Sequence, residues 1–199
     1  MHPEIMAAIA IAVPGIFSIY YLFFVEKDVI INPLGTQFSA ISCLCHFPWS
    51  AGLHVHRAYG NNLVHRMYLY KADVAFQHIY SLSTRYAFSL QFSMVDTIFH
   101  MSCILHLIFC DPLKNPERKK IIGILSAIGL GSCTIDLCNY SSNHFYVALS
   151  VAATGFLIHH NELLGAYSPF WFHVCLAAPH YCILQGLNIP DRVFYTFEH

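Results

Sequence analysis

The sequence predicts an all-α fold, a polytopic seven-transmembrane helix bundle, and three observations carry that prediction. Of 199 residues 56% are hydrophobic and only 11% charged, against about 25% charged in ordinary globular chains. Apolar segments near the length of about 20 residues that a spanning helix needs recur at roughly 4–25, 34–56, 71–90, 92–110, 120–138, 143–159 and 168–187. Loop charge agrees with that threading: Arg57, Arg66, Lys71, Lys114, Arg118, Lys119 and Lys120 share one side, and Lys27, Arg85 and Arg192 the other. By the positive-inside rule this puts the N-terminus in the cytosol and the C-terminus outside.

Each segment has its own reading. Met1 to Phe24 lacks a basic n-region and a small-x-small cleavage site ahead of Glu26-Lys27-Asp28, so it reads as a retained first span. The second, fifth and seventh segments are uninterrupted. The third and fourth carry Asp73, His78, Arg85, Asp96 and His100. A charge at the bilayer centre costs about 2.5–3.5 kcal/mol on insertion scales, so these groups are expected near helix ends or facing the bundle interior. Asp96 and His100, four apart, are expected to satisfy one another, with Asp136 as a neighbour. Asp111 to Lys120 is a solvated loop whose two prolines stop and start helices. Asn188 to His199 reads as a short interfacial tail. With no internal repeat or low-complexity linker, residues 1–199 form one domain.

Composition excludes some functions. Ten basic residues in no stripe give no nucleic-acid surface. The eight cysteines lie almost all inside apolar segments, as buried thiols rather than a disulfide framework.

Chemistry concentrates in Ser50-Ala-Gly-Leu-His54, followed by Asp73 and, in Phe170-Trp171-Phe172-His173-Val174, by His173. Ser50 and His54 are four apart and share a helix face. The threading sets span two running toward the cytosol and spans three and seven starting from it, so all four residues are expected at one depth near the cytosolic face. A second Ser-x-x-x-His, Ser42 to His46, lies about two turns deeper and farther in sequence from Asp73, and is ranked below Ser50 and His54.

Ser50-Ala-Gly-Leu-His54-Val-His-Arg57, with Arg66-Met-Tyr-Leu-Tyr-Lys-Ala-Asp73 and the aromatic stretch at His173, resembles the CREST superfamily of seven-span proteins, which includes alkaline ceramidases, progestin and adipoQ receptors and hemolysin III-like proteins. The resemblance implies zinc held by one histidine of span two and two of span seven. It places serine and aspartate beside the metal or its water, and implies hydrolysis of a lipid amide or ester. The family's last motif is His-x-x-x-His, and here Pro169 stands four residues before His173. The expected metal ligands are therefore His54, His173 and, from the cytosolic end of span six, His160, with His159 and Glu162 beside it. His180 shares a face with His173 but lies about 10 Å along the helix. Asp73 is expected as orienter or base and Ser50 as partner to water or the oxyanion. A non-catalytic receptor-like or structural member of the fold is the second reading, favoured by Pro169. A haem-binding electron carrier using His100 or His106 is the third, suggested by fourteen histidines.

Overall fold

A computed structural model describes residues 1–26 and 32–187, and every regular element among them is helical. Lys27, the Asn188 to His199 tail and Arg192 lie outside the described residues. In order, the helices are α1 (Pro3–Ala10), α2 (Ala12–Phe24), α3 (Pro33–Tyr59), α4 (Leu63–Ser89), α5 (Met94–Phe109), α6 (Pro116–Tyr140), α7 (Ser142–His160), a 3₁₀ turn (Gly165–Tyr167) and α8 (Ser168–Leu187). The expected segments are recovered, with two differences that matter for the site. The first segment is broken at Ile11 into α1 and α2, and α4 starts at Leu63, eight residues before the apolar stretch at 71.

Local chemistry explains the starts. Asn32, Asn62, Ser93 and Asn115 each turn a side-chain oxygen onto a backbone N–H of the first turn, at 2.9, 3.0, 3.3 and 3.1 Å. Each thus satisfies a donor that a helix start leaves unpaired. Pro33 and Pro116 follow two of these caps, where a missing N–H costs nothing. The polar cap at Asn62 lets α4 begin before its apolar stretch does. Pro48 in α3 and Pro179 in α8 interrupt the ladders of their helices. In the α5–α6 loop, Lys114 Nζ lies 2.9 Å from Asp111 Oδ2. That hydrogen bond holds the Asp111 carboxyl below the usual carboxylate range.

Neighbours in the bundle form a closed circuit: α1 and α2 on α3, then α4, α6, α7 and α8, which returns to α1 and α2; α5 sits outside, against α4 and α6. At one end Lys71 of α4 donates to the carbonyl of Ile108 of α5 at 2.8 Å, and His159 of α7 stacks on Phe172 of α8. The ends of α5 and α7 therefore meet the starts of α4 and α8, as an up-and-down threading requires.

The interior is polar to a degree unusual for a soluble core. Between α3 and α4, Ser39 bonds Thr84 at 2.8 Å, Ser42 bonds Ser83 at 3.0 Å, and Asn32 donates to the Tyr86 carbonyl at 2.9 Å. His180 of α8 joins Ser18 of α2 at 3.0 Å and Tyr80 of α4 at 2.6 Å. Apolar clusters lie at either end, Ala87, Phe88, Leu137, Ile183 and Leu187 at one and Leu53, Tyr70, Val74, Leu107 and Ile122 at the other. The surface is the reverse: Ile16, Phe23, Val95, Ile98, Ile124, Ile128 and Ile135 are exposed. Among the described residues two helical stretches, Pro3–Phe24 and Pro116–Tyr140, are long and apolar enough to cross a membrane. Helix α5 is apolar but only 16 residues long, and α3 and α4 spend many positions on His, Ser, Tyr and charged residues.

Asp96 and His100 do not pair with each other. Arg85 takes Asp96 at 3.0 Å and Asp136 at 3.4 Å, while His100 Nδ1 meets His78 Nδ1 at 3.0 Å. The reason is that α4 lays His78 and Arg85, two turns apart, along α5, so each α5 group finds a better partner across the interface than along its own helix. Asp136 is their neighbour, as expected.

Small residues set the α3–α4 distance. A Cβ on Gly35 would stand 2.5 Å from Asn32 Nδ2, whose side chain caps α3, and 2.6 Å from the backbone Cα of Ala87, whereas one on Gly123 meets nothing within 4 Å. Gly35→Ala is expected to lower stability by about 1–3 kcal/mol through overpacking. Gly123→Ala is expected to raise it by about 0.5–1 kcal/mol through helix propensity. Unfolding in detergent micelles measures both, and equal effects would refute the tight seam.

Candidate functional site

Helix α3 presents His46, Ser50 and His54 at successive four-residue steps, a stripe about 12 Å long that faces the start of α4, α8 and α1. At its outer end His54, 4% exposed, places Nε2 3.0 Å from His173 Nε2 of α8. The rings are perpendicular, with centroids 4.9 Å apart. The other nitrogen of His54, Nδ1, is 2.5 Å from Glu4 Oε2 of α1. A carboxylate only accepts, so His54 donates from Nδ1 and turns the lone pair of Nε2 toward His173. In the direct contact His173 Nε2–H donates to that lone pair.

Deeper along the stripe, His46 Nε2 lies 2.7 Å from Asp73 Oδ1. Ser50, 1% exposed, lies against the same carboxylate, and His173 is within electrostatic range of it. The site therefore has two levels: Glu4, His54 and His173 at one, and His46, Asp73 and Ser50 at the other.

Four of the five expected residues, Ser50, His54, Asp73 and His173, are brought together. His160 is not: it is exposed and stacks on Phe156, one turn earlier in α7, with centroids 5.5 Å apart and planes at 6°. The adjacent His159 is the one that turns toward α8, stacking on Phe172 at 5.0 Å. Among the described residues no group of three His, Cys, Asp or Glu is placed to share a metal ion. His180 has both nitrogens engaged, by Ser18 and Tyr80. Pro169 occupies the first turn of α8, where proline starts a helix well. Of the histidines considered for haem, His100 meets His78 through Nδ1 at 3.0 Å and keeps a buried Nε2 without a hydrogen-bond partner, and His106 lies 3.2 Å from Cys110.

Two participants run against the sequence reading. His46 ranks below His54 there because Asp73 is taken to open its helix, yet His46 is the residue that binds Asp73. With α4 starting at Leu63, Asp73 lies ten residues in, about 15 Å along the axis, level with His46 and Ser50. Glu4 has no motif to mark it. The one available signal is its being the only acidic residue in the first apolar segment, and an acid in a membrane-like stretch calls for a partner.

Removing His46 takes from the buried Asp73 carboxylate its ring partner at 2.7 Å and leaves it with Ser50. His46→Ala is expected to cost about 1–3 kcal/mol, the penalty for a buried group that loses a partner. Asp73→Asn, whose amide can still bond the ring, is expected to cost less. Chemical denaturation of the two variants beside wild type measures the difference, and the reverse order would show that Asp73 does not depend on His46.

No known protein family matches the chain, and no curated protein or solved structure shows significant similarity to it.

Proposed function

We propose that the chain is a multi-pass membrane protein of the CREST layout that uses zinc to hydrolyse an amide or ester bond of a lipid near the cytosolic face. One observation carries the reading: His54 Nε2 and His173 Nε2 face each other at 3.0 Å, and Glu4 supports the far nitrogen of His54. Neutral imidazoles are common zinc ligands, and a carboxylate on the second nitrogen is the support they usually receive. The two imidazole nitrogens are of the right chemistry for zinc but one fewer than the usual three of a catalytic site, and His54 and His173 are the residues that would hold it.

Zinc held by His54 and His173 would supply Lewis acidity, polarising a carbonyl and lowering the pKa of water. The side chains do the rest. Asp73, oriented by His46, accepts the proton of the attacking water and returns it to the leaving amine or alcohol. Ser50 donates its hydroxyl to the carbonyl oxygen as charge develops there. A lipid substrate follows from the setting, since the apolar exterior and the two apolar helical stretches support a bundle embedded among acyl chains.

The missing third donor and Pro169 favour a second reading, a non-catalytic receptor-like or structural protein of the same fold. Elemental analysis of purified wild type, His54→Ala and His173→Ala separates the two. The hydrolase reading expects about one zinc per chain, lost in both variants, and turnover of ceramides or related lipids that Asp73→Asn abolishes. A folded wild type without zinc supports the non-catalytic reading. The threading has its own check: cysteines at Ser93 and Asn115 are expected to label from opposite sides of a sealed membrane, and labelling from one side would break the seven-span layout.

A further inference from the structure

We propose that Glu4 is the positioning residue of the histidine pair, holding His54 in the tautomer that aims the Nε2 lone pair at His173. Its bearing on metal affinity rests on the zinc reading above; the tautomer itself does not. The acidic residue of a helix's first turn ordinarily favours the dipole or the cap, but that need is met here by another group. His2 caps α1, its Nδ1 accepting from the Glu4 backbone N–H at 3.2 Å. The Glu4 side chain turns away from the helix start and into the bundle, where Oε2 reaches His54 Nδ1 at 2.5 Å.

The placement of α1 gives this contact its purpose. Helix α1 is only eight residues long, ends at Ile11, and packs on α3 and α8, the two helices that carry His54 and His173. It is therefore seated at the junction where the pair forms. Without the carboxylate, His54 Nδ1 is a buried nitrogen without an acceptor, and the ring is free to carry its proton on Nε2 instead. In that tautomer the lone pair points away from His173, and the pair cannot present two acceptor nitrogens to one ion. Glu4 touches neither the reacting atoms nor the site where an ion would sit, so it acts through His54.

Two readouts test the proposal on the full-length protein in detergent, with Glu4→Ala and Glu4→Gln as variants. The first is the tautomer, read by nitrogen-15 NMR of histidine-labelled, metal-free protein, with His54→Ala to assign the signal. The proton is expected on Nδ1 in wild type, still on Nδ1 in Glu4→Gln, whose amide oxygen can accept, and displaced in Glu4→Ala. An unchanged tautomer in Glu4→Ala overturns the proposal. The second is zinc affinity by competition with a chromogenic chelator. Loss of a carboxylate behind a ligand histidine typically weakens affinity by about 10–100-fold, so Glu4→Ala is expected in that range, Glu4→Gln nearer wild type, and neither to matter further in a His54→Ala background. If Glu4→Ala lowers the melting temperature of the metal-free protein but leaves affinity within about twofold of wild type, short of that range, the role is structural and the proposal fails. A wild type that binds no zinc sinks the hydrolase reading, and the NMR result then decides the role of Glu4 by itself.

Discussion

The helix seams of this bundle depend on one constraint: a polar side chain inside an apolar exterior destabilises the fold unless it finds a partner within the protein. Exceptions such as Thr36 Oγ1, His100 Nε2 and Ser126 Oγ stand beside many groups that find one. Burying an unpaired hydroxyl, amide or ring nitrogen costs on the order of 1–3 kcal/mol, and α3 and α4 bury many of them. The serines and threonines of their interface meet in pairs, Ser39 with Thr84 and Ser42 with Ser83. Ionisable groups obey the same demand on both sides of that seam, with Arg85 between Asp96 and Asp136, and Asp73 on His46. The pairings fix helix register, because sliding one helix by a single turn would break several of them together. The candidate site is one more instance of the rule, differing in that two ring nitrogens are turned toward each other where one metal ion could replace a shared proton.

Much of the layout is legible in the sequence because it is written in hydropathy and in loop charge, which need no knowledge of rotation. The apolar segments and the gathering of Ser50, His54, Asp73 and His173 follow from counting and from direction of travel. What counting misses is the axial offset between neighbouring helices. Hydropathy marks where α4 becomes apolar, at Lys71, whereas the Asn62 cap marks where it becomes helical; the difference moves Asp73 inward by about two turns and gives it to His46. Asp96 and His100 illustrate the other blind spot, since an i,i+4 pair looks complete until a longer side chain arrives from the next helix.

Glu4 and His160 show how the same gap works at the level of the candidate site. Depth alone makes His160 a fair third ligand, but rotation about α7 turns it outward onto Phe156 and turns His159 toward α8. Rotation about α1 does the opposite for Glu4, bringing an isolated acid onto a histidine that a motif had already marked. Neither angle can be read from spacing within one helix, because each is set by what the helix packs against.

The interrupted helices divide the bundle. Helices α3 and α4 are in backbone contact at Gly35 and Ala87, bonded along much of their length, and packed again at Leu53, Tyr70 and Val74 beyond Pro48, so they form a spine in spite of that proline. The first apolar segment is divided at Ile11, and α8 loses one ladder hydrogen bond at Pro179. His54 belongs to the spine, while Glu4 and His173 lie on these two interrupted segments. The contact between His54 and His173 is therefore where the spine meets an interrupted helix, while His46, Ser50 and Asp73 all lie within the spine.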